Sequence, residues 1–415
     1  MITWGISAAS HNAALSVFYR DKLVFASESE RFSRKKNDPH LNTELINYAL
    51  HYGEPDEIYW YEKPLLKTIR QFNAGQGFKN NNVKDYLDIF NLNPKKIKTV
   101  EHHKSHAAGA YYTSKFSDAA IVVIDAIGEY DTTSIWSGNG DKIKKLWDMK
   151  YPHSIGLFYS AMTKRVGLKP NEEEYILMGM AAYGDYKRLY DEIYEDFIID
   201  KGDYGFKFKR NFHRGCDDWR PDLTSDQDRY DIAAATQAVY ETLLIKILDR
   251  AKKLVPSNNL VFTGGCALNC MANPILYEFF DNVWIMPAPG DNGSAIGSVL
   301  AGWNKHIEWP GPYLGYDMGY SVRNNEIVNY LLENKICGLA RGKAEFGPRA
   351  LGNRSLLADP RGPEIKPLIN TIKKREQFRP FAPSVLEEFG FDHFFLPVKS
   401  TPYMQYIARC KKYAS

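Results

Sequence analysis

Three stretches of the chain carry residue types suited to chemistry. In Glu101-His-His-Lys-Ser-His-Ala107, His102 and His106 stand four residues apart. On a helix that spacing projects both imidazoles from one face, where they can share one metal ion, while His103 faces elsewhere. Carboxylates from other segments can complete the set. Asp125 closes a continuous apolar run, and Asp291 lies in Pro289-Gly-Asp-Asn-Gly-Ser294, where a helical pattern begins. Two His and two Asp make a mixed nitrogen and oxygen set that suits iron(II), manganese or zinc. Each Asp also has a plainer role open to it. Asp125 can be a phosphate-loop residue that binds magnesium through water, and Asp291 can be a helix N-cap.

The second stretch is Phe262-Thr-Gly-Gly-Cys-Ala-Leu-Asn269. Paired glycines straight after a strand let the backbone approach a ligand closely. Its counterpart is Asp125-Ala-Ile-Gly-Glu-Tyr130, whose Gly128 would sit under a phosphate. The third stretch is Ala340-Arg-Gly-Lys-Ala-Glu-Phe-Gly-Pro-Arg-Ala-Leu-Gly-Asn-Arg-Ser355, followed by Asp359-Pro-Arg361 and Lys373-Lys-Arg-Glu-Gln-Phe-Arg-Pro-Phe-Ala-Pro383. Arginines held in Gly/Pro turns beside apolar residues are placed to converge on an anion, and their forks bind phosphate bidentately. A solvated basic loop or a nucleic-acid patch is the other reading. The basic run Arg31–Lys36 is either a solvated turn or a rim that attracts phosphorylated ligands.

These stretches need elements to hold them. Ile2–Ala8, Ala13–Tyr19 and Leu23–Ser29 are expected to be strands, the last two joined as a hairpin. A helix follows near Thr43–Tyr52 and a strand at Glu57–Glu62. The order then recurs: a buried strand at Ala119–Ala126, then Thr132–Ser137, a turn at 138–141, and Lys142–Met149. Such a repeat implies an α/β chain with the duplicated actin-like, sugar-kinase-like ATPase architecture, each half offering a hairpin to nucleotide phosphates. Tyr230–Val255 has helical periodicity, Asn259–Phe262 is a short strand, and 266–280 and 293–304 are expected to be helical. The breaker-rich Trp309–Asp317 marks a boundary, giving domains at 1–308 and 309–415.

A chain of 415 residues exceeds one hydrophobic core. No apolar run approaches the roughly 20 residues of a membrane span, and the N-terminus has no signal-peptide pattern. Five cysteines, an odd number, argue against a disulfide framework and for a reducing, cytoplasmic setting. Cys266 and Cys270 lack a second ligand pair, so small buried residues are expected there in place of zinc ligands. A net charge of +3 is close to balance, unlike a protein built to coat nucleic acid.

The strings GPRALGNRS and FRPFAP, with HHxxHA, GGCALN and PGDNG, resemble the O-carbamoyltransferase family of the nodulation-factor, cephamycin and aminoglycoside carbamoyltransferases. The likeness runs from Gly5 to about Tyr403. It implies a module like the tRNA threonylcarbamoyl transferases followed by a YrdC-like module. The second would make carbamoyl-adenylate from carbamoyl phosphate and ATP with magnesium. The first would pass the carbamoyl group to a hydroxyl acceptor at a divalent metal, iron(II) first. By the same resemblance His102, His106, Asp125 and Asp291 would be the ligands. Gly128, Gly264, Gly265 and Asn269 would line the adenylate. Arg349, Arg354, Lys373 and Arg379 would hold carbamoyl phosphate and the triphosphate. His11, in Ala9-Ser-His-Asn-Ala13, would be the acceptor base, and a homodimer is compatible with the family. The chain departs at Asn12, usually Asp, and at Ile176, often Lys. It also stops at Ser415, where the family continues through the YrdC-like module, which is expected to be partial here.

The acceptor stays open: a small molecule, or a hydroxylated nucleobase or tRNA. Residues 184–229, rich in Tyr, Phe, Asp and Arg, are candidates to cover its pocket. A sugar kinase or ATPase of the same fold is a rival, yet it needs neither the His pair nor the Arg-rich third stretch. A non-catalytic scaffold would not need so many polar motif residues.

Overall fold

The computed structural model describes residues 1–411 apart from 74, 78, 79, 203 and 204. The chain is α/β and builds two five-stranded sheets. The first takes β1 (Ile2–Ser7), β2 (Ala14–Tyr19), β3 (Lys22–Glu28), β4 (Glu57–Trp60) and β5 (Lys96–Thr99) in the order β3-β2-β1-β4-β5. β1 pairs antiparallel with β2 and parallel with β4, whose other neighbour β5 is also parallel. The second sheet uses β6 (Asp118–Ile124), β7 (Asp131–Asn139), β8 (Lys142–Lys150), β11 (Asn259–Thr263) and β12 (Asn282–Trp284) in the order β12-β11-β6-β7-β8. A small hairpin of β9 (Ile198–Asp200) and β10 (Phe206–Phe208) lies between β8 and β11 in sequence. β6 is antiparallel to β7 and parallel to β11, so strand order and sense repeat between the sheets. The apolar runs expected as strands thus form strands, within a residue or two at their ends.

Two helices fill the space between the sheets. His102–Tyr111 is buried at nearly every position, and Ser294–Trp303 is buried through Ala301. Their side chains share one core with Ala14, Phe18 and Tyr59 of the first sheet and Ile121, Val123 and Val261 of the second. Neither helix has an amphipathic sequence, as expected of a helix packed on all sides. They cross where both lack side chains. A Cβ on Gly109 would lie 3.0 Å from the Gly297 Cα, and one on Gly297 would lie 1.9 Å from the Ser105 carbonyl oxygen. The far face of the second sheet is covered by the 29-residue helix Asp226–Leu254, which starts at a Ser225/Asp228 capping box.

Two expectations change. Residues 266–280 are not one helix: they form 3₁₀ turns at Gly265–Leu268 and Asn273–Ile275 and a single turn at Leu276–Phe279. Pro274 and buried Asn273, which donates to the carbonyls of Ala267 and Gln405, hold the chain in this broken path. The boundary segment also contains a strand, β13 (Tyr313–Asp317), which pairs with β15 (Lys343–Glu345). Beyond it β14 (Ile336–Ala340) pairs with β16 (Arg354–Ala358), and β17 (Phe394–Phe395) with β18 (Arg409–Cys410). The expected second domain ends in residues 412–415, which lie outside the described residues, as do 203 and 204 of the expected acceptor cover. Among the described residues no helix is long and apolar enough to cross a membrane.

The glycine crossing can be tested. Gly297→Ala places its methyl into the Ser105 carbonyl, and overpacking of this kind costs about 3 kcal/mol. Urea unfolding should show a clear fall in midpoint, and an unchanged midpoint would mean that the helices can separate freely.

Candidate metal centre and active site

The helix His102–Tyr111 begins without a side-chain cap of its own. The Glu129 carboxylate takes that role from across the loop after β6, accepting from the His102 N–H with both oxygens at 3.1 Å. A carboxylate at a helix N-terminus answers both the free N–H groups and the helix dipole. One turn of helix then turns His102 and His106 to the same side, with their Nε2 atoms 3.0 Å apart. Asp125, just past the end of β6, reaches them from the second sheet, with Oδ2 3.1 Å from His102 Nε2 and 3.7 Å from His106 Nε2. Asp291 arrives from the turn that opens Ser294–Trp303, with Oδ1 3.3 Å from both imidazoles.

These four side chains are buried, and one ligand atom from each lies within 4.8 Å of all the others. Two neutral-capable nitrogens and two carboxylate oxygens turned onto one buried point are a donor set that fits a divalent transition ion. Charge points the same way. Burial pulls the pKa of His102 down, but Asp291 and Asp125 outweigh it and hold the ring protonated well above the usual imidazole range. Burial and the same carboxylates act on His106 with a net rise. Burial raises the pKa of Asp125, but its bonds to the two imidazoles bring it well below the carboxylate range. His103 behaves differently: burial and its two charged neighbours keep it neutral, and its Nδ1 meets Ser134 Oγ at 2.7 Å.

Three loops close over this point. The Gly265 N–H donates to Asp125 Oδ1 at 3.1 Å, and the Gly264 N–H to the Pro289 carbonyl at 2.9 Å. Gly264 has φ +92°, and a Cβ there would lie 2.2 Å from the Ile124 carbonyl oxygen. Gly128 lies against the rings, where a Cβ would stand 3.1 Å from His103 and 3.2 Å from His102. His11, on the loop joining β1 to β2, puts Nε2 3.7 Å from Asp291 Oδ2 and keeps its side chain 43% exposed. The backbone there bends through positive φ at Ala9 and Asn12. Asn tolerates that conformation as Asp does, which accounts for an Asn at this position.

The remaining expected residues are differently placed. Asn269 is buried in a reciprocal pair with Gln237, at 2.9 and 3.1 Å, so its amide serves the long helix. Arg349 donates to the Leu268 carbonyl at 3.4 Å and lines a narrow cleft with Ala267 and Pro289, beside the glycine loop. Arg354 is largely committed: it donates to the Gly347 carbonyl at 2.7 Å, and its Nε stands 3.1 Å from buried Glu345. Lys373 is exposed, whereas Arg379 stacks at 4.6 Å over the Tyr175 ring, whose hydroxyl also accepts from Lys36. Pattern reading missed Glu28, 3% exposed, whose Oε1 accepts from Asn292 Nδ2 at 3.0 Å and the Gly347 N–H at 2.7 Å. It missed Glu129 as a cap as well. Both lie inside strings already singled out or at a strand end, and only the tertiary contact gives them a role.

A family model described as the carbamoyltransferase N-terminus matches residues 62–300, and one for the carbamoyltransferase C-terminus matches 328–415. The chain belongs to the carbamoyltransferase family and is an enzyme of that class. It is 34% identical to uncharacterized protein sll1178 of Synechocystis, covering 97% of this chain and 78% of that protein. It is 32% identical to nodulation protein NolO of Bradyrhizobium diazoefficiens, over 75% of this chain and 63% of that one. A 25% identity links it to the 3'-hydroxymethylcephem-O-carbamoyltransferase of Amycolatopsis lactamdurans, over 97% of this chain and 82% of the relative. Component A of (R)-2-hydroxyglutaryl-CoA dehydratase from Acidaminococcus fermentans aligns with a TM-score of 0.42 at 14% identity over 73% of this chain and 99% of that one, too distant a likeness to carry an argument.

In the metal-free protein a cation must displace the proton that Asp291 and Asp125 hold on His102. Binding should therefore release at least one proton at neutral pH and tighten as pH rises. Titration calorimetry with manganese(II) or zinc(II), in buffers of different ionisation enthalpy, counts those protons. His106→Ala should also lower the bound metal in elemental analysis. Equal metal in wild type and variant would remove the site, and proton-neutral binding would show that His102 carries no proton in the metal-free protein.

Proposed function

We propose that the chain makes an O-carbamoyl ester of a small-molecule hydroxyl, using carbamoyl phosphate and ATP through a carbamoyl-adenylate. The observation that carries this reading is the buried His102, His106, Asp125 and Asp291 group beside the glycine loops in a carbamoyltransferase-family chain. The repeated strand order supports an ATPase-type architecture, with the 125–130 and 263–269 loops as the nucleotide's two flanks. We assign residues 309–415 to carbamoyl phosphate activation, as a YrdC-like segment.

In activation, ATP loses pyrophosphate and carbamoyl phosphate loses phosphate, with one water consumed, leaving the carbamoyl group on AMP. Arg349 and Arg379, from the third segment, are the groups placed to neutralise phosphate charge, with Lys373 at the exposed rim. Arg354 acts through Gly347 and Glu345, as a positioning residue. In transfer, the acceptor oxygen attacks the carbamoyl carbon, the bond to the AMP oxygen breaks, and AMP leaves. His102, His106, Asp125 and Asp291 would hold a divalent ion, iron(II), manganese or zinc, which would supply Lewis-acid polarisation of the adenylate. Its magnesium counterpart accompanies ATP. The acceptor proton passes to His11, whose ring borders Asp291 on the open side. An imidazole nitrogen is a common general base for a hydroxyl proton.

Wild-type protein with ATP should release pyrophosphate only when carbamoyl phosphate is present. Arg349→Ala should reduce that release by about 10–100-fold, the value of a lost charge-assisted fork. His11→Asn should keep pyrophosphate release and slow transfer from preformed carbamoyl-adenylate by roughly 10²–10⁴-fold. Carbamoyl-phosphate-independent release would remove the activation step, and an unchanged transfer rate would remove His11 as the base.

A further inference from the structure

The helix Pro64–Asn73 is packed with its faces reversed. It buries Lys67, Thr68, Arg70 and Gln71, while Leu65 is 71% and Phe72 62% exposed. Leu66 and Ile69 are exposed on the same side. A helix chosen only for packing would turn the other way, so its inward face must serve polar chemistry. Three of the four inward residues are accounted for. Lys67 Nζ binds Glu62 Oε1 at 2.6 Å and the Ala9 carbonyl at 3.1 Å. Thr68 Oγ1 and Gln71 Oε1 both accept from Asn81 Nδ2, at 2.9 and 3.0 Å.

Arg70 is the remainder. It is 9% exposed, and among the described residues it makes no hydrogen bond or ion pair, with its Nε sealed from solvent. Its charge is felt at Glu62, Tyr151, Glu129 and Tyr130. The nearby carboxylates are already engaged: Glu62 by Lys67, and Glu129 by the N–H groups of Lys63 and His102. Side chains on a helix lean towards its N-terminus. Here that end is tied through Glu129 to the first residue of the metal-bearing helix. A buried guanidinium whose N–H groups find no acceptor among the described residues is costly unless a ligand supplies one.

We propose that Arg70 receives an acidic oxygen group, a carboxylate or phosphate, carried by the acceptor substrate. The inference rests on the carbamoyl-transfer reading for the identity of that ligand. The unpaired cation itself does not depend on it.

The test is thermal unfolding of the full chain, wild type against Arg70→Met, with sodium glycolate as a minimal hydroxy-acid probe and sodium chloride at matched ionic strength. Without probe, Arg70→Met should melt higher than wild type by roughly 1–3 °C, because an unpaired buried charge has gone. Glycolate should raise the wild-type Tm, raise that of Arg70→Lys less, and leave Arg70→Met unmoved. A lower Tm or failed folding in Arg70→Met would make Arg70 a structural residue and overturn the proposal. Equal glycolate shifts in wild type and Arg70→Met, or none in wild type, would overturn it too. Carbamoyl-phosphate-dependent pyrophosphate release by the wild type is measured alongside. Its absence with the glycolate response intact would remove the carbamoyl acceptor and leave the anion site standing.

Discussion

The helices His102–Tyr111 and Ser294–Trp303 meet backbone to backbone at Gly109 and Gly297. The arrangement of the four candidate ligands depends on that contact. The two imidazoles ride on one helix and Asp291 stands at the start of the other, so the crossing sets the distance between them. A single methyl at Gly297 would occupy the Ser105 carbonyl, one residue before His106. Close-packed interiors do not absorb such a change without moving the elements that carry it. Ser16 Oγ and Ser298 Oγ fasten the second helix to the first sheet through the Ala295 and Tyr59 carbonyls, at 2.9 and 3.2 Å.

The third segment is coupled to this centre by one buried carboxylate. Glu28, at the end of β3, holds both the side chain of Asn292, next to Asp291, and the backbone of Gly347 in the GPRALGNRS string. Arg31 and Arg354 both donate to the Gly347 carbonyl, at 3.2 and 2.7 Å. The turn that carries Asp291, the first sheet and the Arg-rich loop therefore share one hydrogen-bonded joint. Movement of that loop would be felt one residue from Asp291.

Much of this was legible in the residues, for identifiable reasons. Apolar runs such as 119–124 announce a buried strand, and the i, i+4 spacing of His102 and His106 needs only a helix to become a shared face. The strand repeat was visible as element order, and the two sheets share one strand order and sense. The stretch 266–280 misled because its apolar content fits a helix, while Pro274 and the buried amide of Asn273 break it. Asn269 belongs to a ligand string by resemblance, yet its amide is paired with Gln237, a residue on a helix more than thirty positions away. Glu28, Glu129 and Arg70 were invisible because their roles arise from contacts between distant segments. Arg70 was hidden further by a helix whose apolar side would be read as the buried one.

The most direct test of the account is an anomalous-scattering crystal experiment on protein loaded with manganese(II) or iron(II), recorded at the metal's absorption edge. The account predicts one strong peak between the helices, in bonding contact with His102, His106, Asp125 and Asp291. A peak elsewhere, or one that leaves either histidine unligated, would contradict it.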